Sequence, residues 1–429
     1  MQLRLMLPFA ALLLMALTPA PPPAPLDRIA RDYVQLTLEA GTHEDGYVDA
    51  YYGPPEWAAA AKAKPRSVAQ LKAAATALEA EARAVGPAAR TPIERQRAAN
   101  LALQLHAAQI RLAMIDGAKF SFDDEAFGLF GVHPVLKPLA DYDPTLAEID
   151  KLLPGPGPLW QRVDSWRNAA LIPAAKLDAV MQAAIAECRA RTLAHIALPK
   201  DEKFTLEFVK NQPWSGYNWY KGNATSLIQV NTDLPVEMSR AVGLGCHEGY
   251  PGHHVYNVLL EQQLTRGRGW VEFSVYPLYS PMSLLAEGSA NYGRYLAFPG
   301  DEQAAFEART LYPLAGLDPA LARRNVALYA ALERLGGARL TIARDYLDGH
   351  IDRATALALT QKYLLLSPER AAQSVKFTDH YRSYVINYGL GQDLVRAHIE
   401  AAGPDQTARW AAMQQILSRP TTPADLGAR

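Results

Sequence analysis

The chain has 429 residues, of which 49% are hydrophobic and 20% charged, and its 43 basic side chains are balanced by 44 acidic ones. This balance leaves no surplus of Lys and Arg for a nucleic-acid-binding face, so no nucleic-acid partner is expected. The 28 Gly and 31 Pro residues are too few for a low-complexity chain, and the sequence therefore predicts a folded globular protein.

The first residues have the features of a secretory signal. An apolar run over residues 5–17 follows Arg4 and is shorter than the roughly 20 residues that a membrane span needs. We predict a signal peptide over residues 1–20, followed by a Pro-rich tether over 21–26. The protein is therefore expected in the periplasm or outside the cell, without a stable membrane span after the signal is removed. An uncleaved anchor is the alternative.

From residue 27 onwards the sequence predicts one mostly α-helical body. Three segments, 71–85, 93–118 and 174–198, are rich in helix-forming residues, with apolar side chains recurring three and four positions apart. The Gly- and Pro-containing breaks between helices are too short to be linkers. The two cysteines are too few for a disulfide framework, so the fold is expected to depend on its own core. We predict a single domain over residues 27–429.

The stretch 214–235 departs from the helical pattern. It carries aromatic residues and Gly, and within 226–231 β-branched and polar residues alternate. We predict a small β hairpin or an edge strand beside the active-site helix. An exposed strand edge can bind a peptide by adding it as a further strand. Gln229 and Asn231 are accordingly predicted to bind substrate.

A histidine-rich block, HEGYPGHH, occupies residues 247–254. In zinc peptidases the helical pattern H-E-x-x-H places two His one turn apart, where they share a metal while the Glu acts on its bound water. Here Pro251 stands at the fifth position, so the plain pattern fails. On a continuous helix His254 would lie about 10 Å along the axis from His247, which is too far for one zinc ion.

We expect Pro251 and Gly252 to bulge the helix. Proline lacks the N–H that would bond to the carbonyl of His247, and glycine tolerates unusual dihedral angles. With two residues looped out, His253 takes the position of the second ligand, whereas His254 would need a bulge of three residues. We predict His247 and His253 as metal ligands and His254 as a catalytic or supporting residue, with the choice between the two left open.

A catalytic zinc site needs a third protein ligand and one open position. The downstream candidates are Glu261, Glu272 and Glu287. Glu287 lies among small and apolar residues, where an ionised carboxylate is costly unless it is paired or bound to a metal. We therefore predict Glu287 as the third ligand. A buried ion pair with Arg294 is the alternative.

These motifs resemble a known family. The HE and PGHH of residues 247–254, followed some forty residues later by EGSA at 287–290, resemble the bacterial family catalogued as domain of unknown function 885. Members of that family are similar in fold to the helical zinc carboxypeptidases of the Taq type, within the gluzincin peptidases. The resemblance covers most of the chain after about residue 27 and implies a helical zinc metallopeptidase. The EGSA sequence departs from the EGWA-type sequence that the family usually carries.

The ligand set and the resemblance together predict hydrolysis of a peptide bond. Zinc held by His247, His253 and Glu287 would lower the pKa of its bound water towards about 7. Glu248 would take the proton of that water and pass it to the leaving amine. The oxyanion needs a further donor, and we assign this role to Tyr388.

The same late segment supplies two predicted substrate-binding residues. Arg382 is predicted to bind a substrate carboxylate, as a carboxypeptidase requires, and a surface ion pair is the alternative for it. Tyr384 is included as a second contact with substrate. The distinctive aromatic sequence YVDAYYGP at residues 47–54 is given no chemistry.

Two other functions fit the same residues. A zinc amidase acting on cell-wall peptides or other small amides would use the same ligands and the same glutamate. An exported scaffold protein with a structural zinc would instead need four ligands, for which His247, His253, His254 and Glu287 are the candidates. The sequence leaves open whether a peptidase would act from a chain end, and it does not predict the oligomeric state.

Overall fold

The structure, a computed structural model, describes residues 25–212 and 214–428. The predicted signal peptide and residues 21–24 of the predicted tether lie outside this part of the chain. Helix α1, Pro25–Ala40, includes Pro25 and Leu26, which the sequence analysis assigned to the tether. The helical body therefore contains these two residues as well.

Helices make up most of the described chain, which confirms the mostly α fold with small β elements. After α1 they are α2 (Pro55–Ala63), α3 (Val68–Val85), α4 (Pro92–Ile115), α5 (Phe122–Phe130), α6 (Asp143–Leu152), α7 (Leu159–Ala169), α8 (Leu177–Leu193), α9 (Met238–Leu244), α10 (His253–Leu260), α11 (Pro281–Ala297), α12 (Glu302–Phe306), α13 (Tyr312–Ala315), α14 (Ala322–Glu333), α15 (Gly336–Leu347), α16 (Arg353–Leu364), α17 (Pro368–Tyr381), α18 (Ile386–Glu400) and α19 (Gln406–Leu417). The strands are β1 (Val48–Tyr51), β2 (Lys203–Val209), β3 (Gly216–Tyr220), β4 (Thr225–Asn231) and β5 (Val275–Pro277).

Capping explains where the predicted helices begin. Helix α3 follows Ser67, which exchanges hydrogen bonds with Gln70 in a capping box. Helix α4 follows Thr91, which forms the same arrangement with Glu94. The three helical segments predicted from the sequence correspond to α3, α4 and α8.

Two small sheets accompany the helices in the described part of the chain. Strand β1 pairs antiparallel with β5. In the second sheet β4 lies in the middle, parallel to β2 and antiparallel to β3. The predicted hairpin is present as β3 and β4. Its outer strand is β3, because both edges of β4 are hydrogen-bonded to neighbouring strands.

A disulfide fastens the centre of the fold. Cys188 of α8 is bonded to Cys246 in the π-helical turn after α9, and both residues are fully buried. The two cysteines were predicted to be too few for a disulfide framework, and this single bond was not predicted. It holds the residue before His247 against α8.

The site helices lie in the interior of the fold. Nearly every residue of α11 and α10 is buried, and both helices contribute to one large hydrophobic core together with α8, α9 and α19. Over the described residues, no helix is both long and apolar enough to cross a membrane.

Candidate metal centre

The predicted ligands lie where the chain breaks between two helices. Helix α9 continues into a π-helical turn, Gly245–Gly249, after which Tyr250 is extended. A new helix, α10, begins at His253. The bulge predicted within one helix is therefore a complete break, which the Pro251-Gly252 dipeptide forms.

Gly252 allows the two helices to approach each other. A Cβ atom on this residue would lie 1.8 Å from the carbonyl oxygen of His247, so only glycine fits. The Gly252 N–H donates to the carbonyl of Cys246 at 3.0 Å. The start of α10 is thereby folded back against the π turn, and His253 comes to lie beside His247.

Three predicted ligands converge on one point. His247 Nε2 lies 3.1 Å from His253 Nε2 and 3.2 Å from Glu287 Oε2. Glu287 Oε1 lies 3.8 Å from His253 Nε2. One ligand atom from each of the three residues lies within 4.8 Å of the others. Residues from the π-helical turn after α9, the start of α10 and the middle of α11 thus form a single cluster.

The cluster fits a zinc ion. Tetrahedral bonds of about 2.0–2.1 Å place neighbouring ligand atoms about 3.3 Å apart, close to the separations in the cluster. Imidazole nitrogens and a carboxylate oxygen are ligands that zinc accepts. Glu287 Oε2 is buried and has no hydrogen-bond partner among the described residues, which an ion would provide.

Neighbouring polar groups orient the ligands. His247 Nδ1 lies 3.1 Å from Asn291 Oδ1, and a proton on Nδ1 leaves Nε2 free to bind a metal. Tyr384 donates a hydrogen bond to Glu287 Oε1 at 2.9 Å. Burial would raise the pKa of Glu287, but the contacts with His247, His253 and Tyr384 lower it overall. The carboxylate therefore stays ionised although it is buried.

Glu248 lies beside the cluster and lines the same cleft. Burial and the charge of Glu287 raise its pKa to about 7, while His247 acts in the opposite direction. Its side chain forms no hydrogen bond with a described residue. A carboxyl group with this pKa and no fixed partner can accept and return a proton near neutral pH.

Strand β3 lies against Glu248. A Cβ atom on Gly216 would lie 2.6 Å from Glu248 Oε1, so a larger residue at this position would displace the carboxylate. Asn218 donates from Nδ2 to the carbonyl of Glu248 at 2.6 Å. The strand therefore helps to position Glu248.

His254 points away from the cleft, and its prediction as a catalytic residue is wrong. The side chain is fully buried, with Nδ1 2.8 Å from Ser226 Oγ and Nε2 3.0 Å from Glu202 Oε2. Tyr250 and Arg189 also donate to Glu202, at 2.6 and 2.7 Å. Both ring nitrogens of His254 are engaged, so it supports the helix break from behind.

The two late tyrosines line the cleft, but Arg382 does not. Burial and the charges of Glu287 and Glu248 raise the pKa of Tyr388 well above its ordinary value, so its hydroxyl stays a donor. Arg382 donates from Nε to Glu125 Oε2 at 2.7 Å, outside the cleft. Its predicted role in binding a substrate carboxylate is therefore wrong, because a buried carboxylate of the protein occupies it.

The predicted substrate contacts on β4 also fail. Gln229 accepts a hydrogen bond from Trp219 Nε1 at 2.8 Å and donates to Glu207 at 3.0 Å. Asn231 donates from Nδ2 to two backbone carbonyls of the preceding loop, at 3.0 and 2.9 Å. These side chains stabilise the sheet, and a central strand offers no free edge to a peptide.

The cleft above the cluster has a volume of about 680 Å³. Its lining includes residues that the sequence analysis did not assign, among them Asp49, Gly216, Arg240 and Arg339. Asp49 belongs to the aromatic motif at residues 47–54, which was a usable signal. The two arginines carry no local motif, and only the fold brings them to the cleft.

No protein-family model and no curated protein matches the chain, so membership of domain of unknown function 885 stays a prediction. Among solved structures, a candidate lipoprotein from Colwellia psychrerythraea matches 94% of this chain and 74% of its own at 15% identity, with a TM-score of 0.51. A Pyrococcus furiosus carboxypeptidase matches 91% and 88% at 11% identity, TM-score 0.42. An M32 carboxypeptidase from Deinococcus radiodurans R1 matches 94% and 93% at 15% identity, TM-score 0.37. At such identities a likeness concerns the fold alone.

Proposed function

We propose that the protein is a zinc-dependent hydrolase of peptide bonds. The observation that carries the proposal is the convergence of His247, His253 and Glu287 in a cleft. Glu248 lines the same cleft, and its side chain has no hydrogen-bond partner among the described residues. Three ligands leave one coordination position for water or substrate, as in catalytic zinc sites. His254 is engaged elsewhere, so the four-ligand set of a structural zinc is not assembled.

The residues of the chain have distinct roles in this proposal. Zinc, when bound, supplies a Lewis acid for the scissile carbonyl and lowers the pKa of water. Glu248 removes a proton from the attacking water and delivers it to the leaving nitrogen. The hydroxyl of Tyr388 donates to the oxygen on which negative charge develops. Tyr384 and Asn291 keep the ligands in position.

The outer edge of β3 suits a peptide backbone. The Asn231 N–H donates to the carbonyl of Ser215 at 3.0 Å, and the Lys221 N–H donates to the carbonyl of Thr225 at 2.9 Å. Hydrogen-bonded and non-hydrogen-bonded residues alternate along an antiparallel pair, so the backbone N–H groups of Gly216 and Asn218 point away from β4, towards the outer edge of β3. A substrate added there as a strand would pass Glu248. This edge takes over the role predicted for Gln229 and Asn231.

An amidase acting on small amides would use the same groups, and a substrate screen distinguishes the two activities.

We also propose that the protein is exported. The apolar run at residues 5–17 carries this proposal, and the likeness in fold to a candidate lipoprotein agrees with it. Cell fractionation of the full chain tests it, and recovery in the cytoplasm with an intact N-terminus would contradict it.

The activity is tested with purified protein and a mixture of peptides. We expect elemental analysis to give about one zinc per chain in the wild type and in Glu248→Gln. The variant should hydrolyse peptides about 10²- to 10⁴-fold more slowly, because only the proton transfer is lost. Glu207→Gln, which changes an exposed glutamate on β2, is the matched control and should retain activity. Bound zinc without any product that depends on Glu248 would overturn the proposal.

A further inference from the structure

Charged side chains of both signs line the cleft. Four arginines, one each from α9, α11, α15 and α17, and two aspartates, Asp45 and Asp49, belong to this lining. The three candidate metal ligands lie in the same cleft. A charged group that the protein leaves without a partner is available to bind a ligand.

Two of the four arginines, Arg240 and Arg339, have no counter-ion in the described chain. Arg240 lies on α9, seven residues before His247, a separation of about 10 Å along a helix axis. It donates to Ser215 Oγ at 2.9 Å. Burial and the charge of Arg240 lower the pKa of Arg339, and no carboxylate acts to raise it. Two guanidinium groups that line one cleft without a counter-ion favour the binding of an anion there.

The other two arginines of the cleft already have partners in the protein. Arg294 donates to Glu333 at 2.6 Å and to Gln303 at 2.6 Å. Arg370 lies 3.8 Å from Glu237. The free binding capacity for an anion is therefore concentrated at Arg240 and Arg339.

Asp49 is the corresponding acidic group of the cleft, because it too lacks a partner of opposite charge among the described residues. Its carboxylate accepts a hydrogen bond from the hydroxyl of Tyr217 and forms no ion pair with a described cationic side chain. Burial and the nearby charges of Glu287 and Glu248 raise its pKa to about 8, and no arginine acts to lower it. A cationic group of a ligand would stabilise the ionised carboxylate at this position.

Strand β3 sets the order of these groups. Ser215, directly before β3, contacts Arg240, Gly216 lies over Glu248, and Tyr217 contacts Asp49. Arg240, the general base and the aspartate thus contact three consecutive residues of this segment. A volume of about 680 Å³ lies within the roughly 300–1,000 Å³ of sites that enclose a small ligand.

We propose that the cleft binds short peptides with both ends free, with the terminal carboxylate at Arg240 and Arg339 and the terminal ammonium at Asp49. This inference rests on the proposed peptidase function and names its substrate class. Peptides extended or blocked at either end would lose one of the two charge contacts. A long chain would also have to leave the site past a charged residue.

The experiment compares one short peptide in three forms: free, N-acetylated and C-amidated. For the wild type we expect the kcat/KM of either blocked form to be about 10- to 100-fold below that of the free form, the range for losing one charge-assisted contact. Arg339→Gln should lose the discrimination against the amide and keep that against the acetyl group. Asp49→Asn should do the reverse.

Matched controls are Arg323→Gln and Asp301→Asn, which change exposed residues and should keep both discriminations. Arg339→Lys retains the charge and should restore part of the preference for a free carboxylate. If a variant fails to fold, the comparison of the three peptide forms with the wild type still tests the inference. Equal cleavage of acetylated and free peptides overturns the inference and leaves the peptidase intact. Absence of any Glu248-dependent cleavage overturns the proposed function itself.

Discussion

Histidine and glutamate side chains lie on both sides of the break between α9 and α10, but the two sides differ in how completely these side chains are hydrogen-bonded. On the front side, which faces the cleft, His247, His253 and Glu287 form the candidate metal site. Glu287 Oε2 lacks a hydrogen-bond partner among the described residues. On the rear side, His254 and Glu202 form a cluster whose polar groups are bonded to each other, to Ser226, Tyr250 and Arg189. The adjacent residues His253 and His254 therefore differ in their surroundings, because an unpartnered carboxylate oxygen lies beside His253 and both ring nitrogens of His254 are hydrogen-bonded.

The sharpest test of this comparison exchanges each histidine for alanine. We expect His253→Ala to lose bound zinc and with it at least about 10³-fold in kcat/KM, because the stabilisation of several kcal/mol that the metal supplies disappears. His254→Ala should keep one zinc per chain. Its free energy of unfolding should fall by about 1–3 kcal/mol, because Glu202 and Ser226 lose a buried partner.

Elemental analysis and urea unfolding measure both effects. Removal of the metal from the wild type by a chelator should reproduce the activity of His253→Ala, and zinc should restore it only in the wild type. Loss of zinc from folded His254→Ala, with zinc retained in His253→Ala, would reverse the assignment of the two residues.

The disulfide provides the next largest effect. Cys188 and Cys246 are 58 residues apart in sequence, and the chain-entropy relation gives about 4 kcal/mol for closing a loop of this length. We expect the double variant Cys188→Ala, Cys246→Ala to lose about this free energy of unfolding. Urea unfolding of the wild type with and without reductant is the control. A variant as stable as the oxidised wild type would show that the bond does not stabilise the fold.

The smallest effect concerns acid stability at the rear cluster. Burial would raise the pKa of Glu202, but hydrogen bonds from His254, Tyr250 and Arg189 hold it at about 2. This value lies below the ordinary pKa of about 4.3. The ionised group therefore stabilises the fold above that pH, and the contribution is lost as the pH falls towards 2.

Glu202→Gln makes this contribution measurable. The difference in free energy of unfolding between wild type and variant should be largest above about pH 5 and should shrink between about pH 4.3 and 2. Glu207→Gln, which changes an exposed glutamate, should show no such change. A difference that does not vary with pH would mean that ionisation of Glu202 is irrelevant to stability.

The sequence predicted what depends on local chemistry. Helices α3 and α4 begin at capping boxes that can be read residue by residue, and the Pro251-Gly252 dipeptide identified the position of the break. The apolar surroundings of Glu287 indicated a carboxylate that needs a partner. Because these signals lie within a few residues of the feature they predict, the three candidate ligands were found.

Features that depend on distant segments could not be predicted. His254 differs from His253 only because Glu202 approaches it from a loop some fifty residues earlier. Arg382 is occupied by Glu125, which lies on α5. The pairing of β4 with β2 removed the free edge expected at residues 226–231. In each case the partner that decides the role is remote in sequence and has no motif of its own.

The break at Gly252 also affects how the site would open. His247, His253 and Glu287 belong to three separate helical segments, so an ion bound to all of them would act as a crosslink between those segments. Local opening of any one segment would then require release of the ion. With the ion bound, the π-helical turn after α9, the start of α10 and the middle of α11 would exchange their amide hydrogens as one cooperative unit. Without the ion they would exchange as independent units.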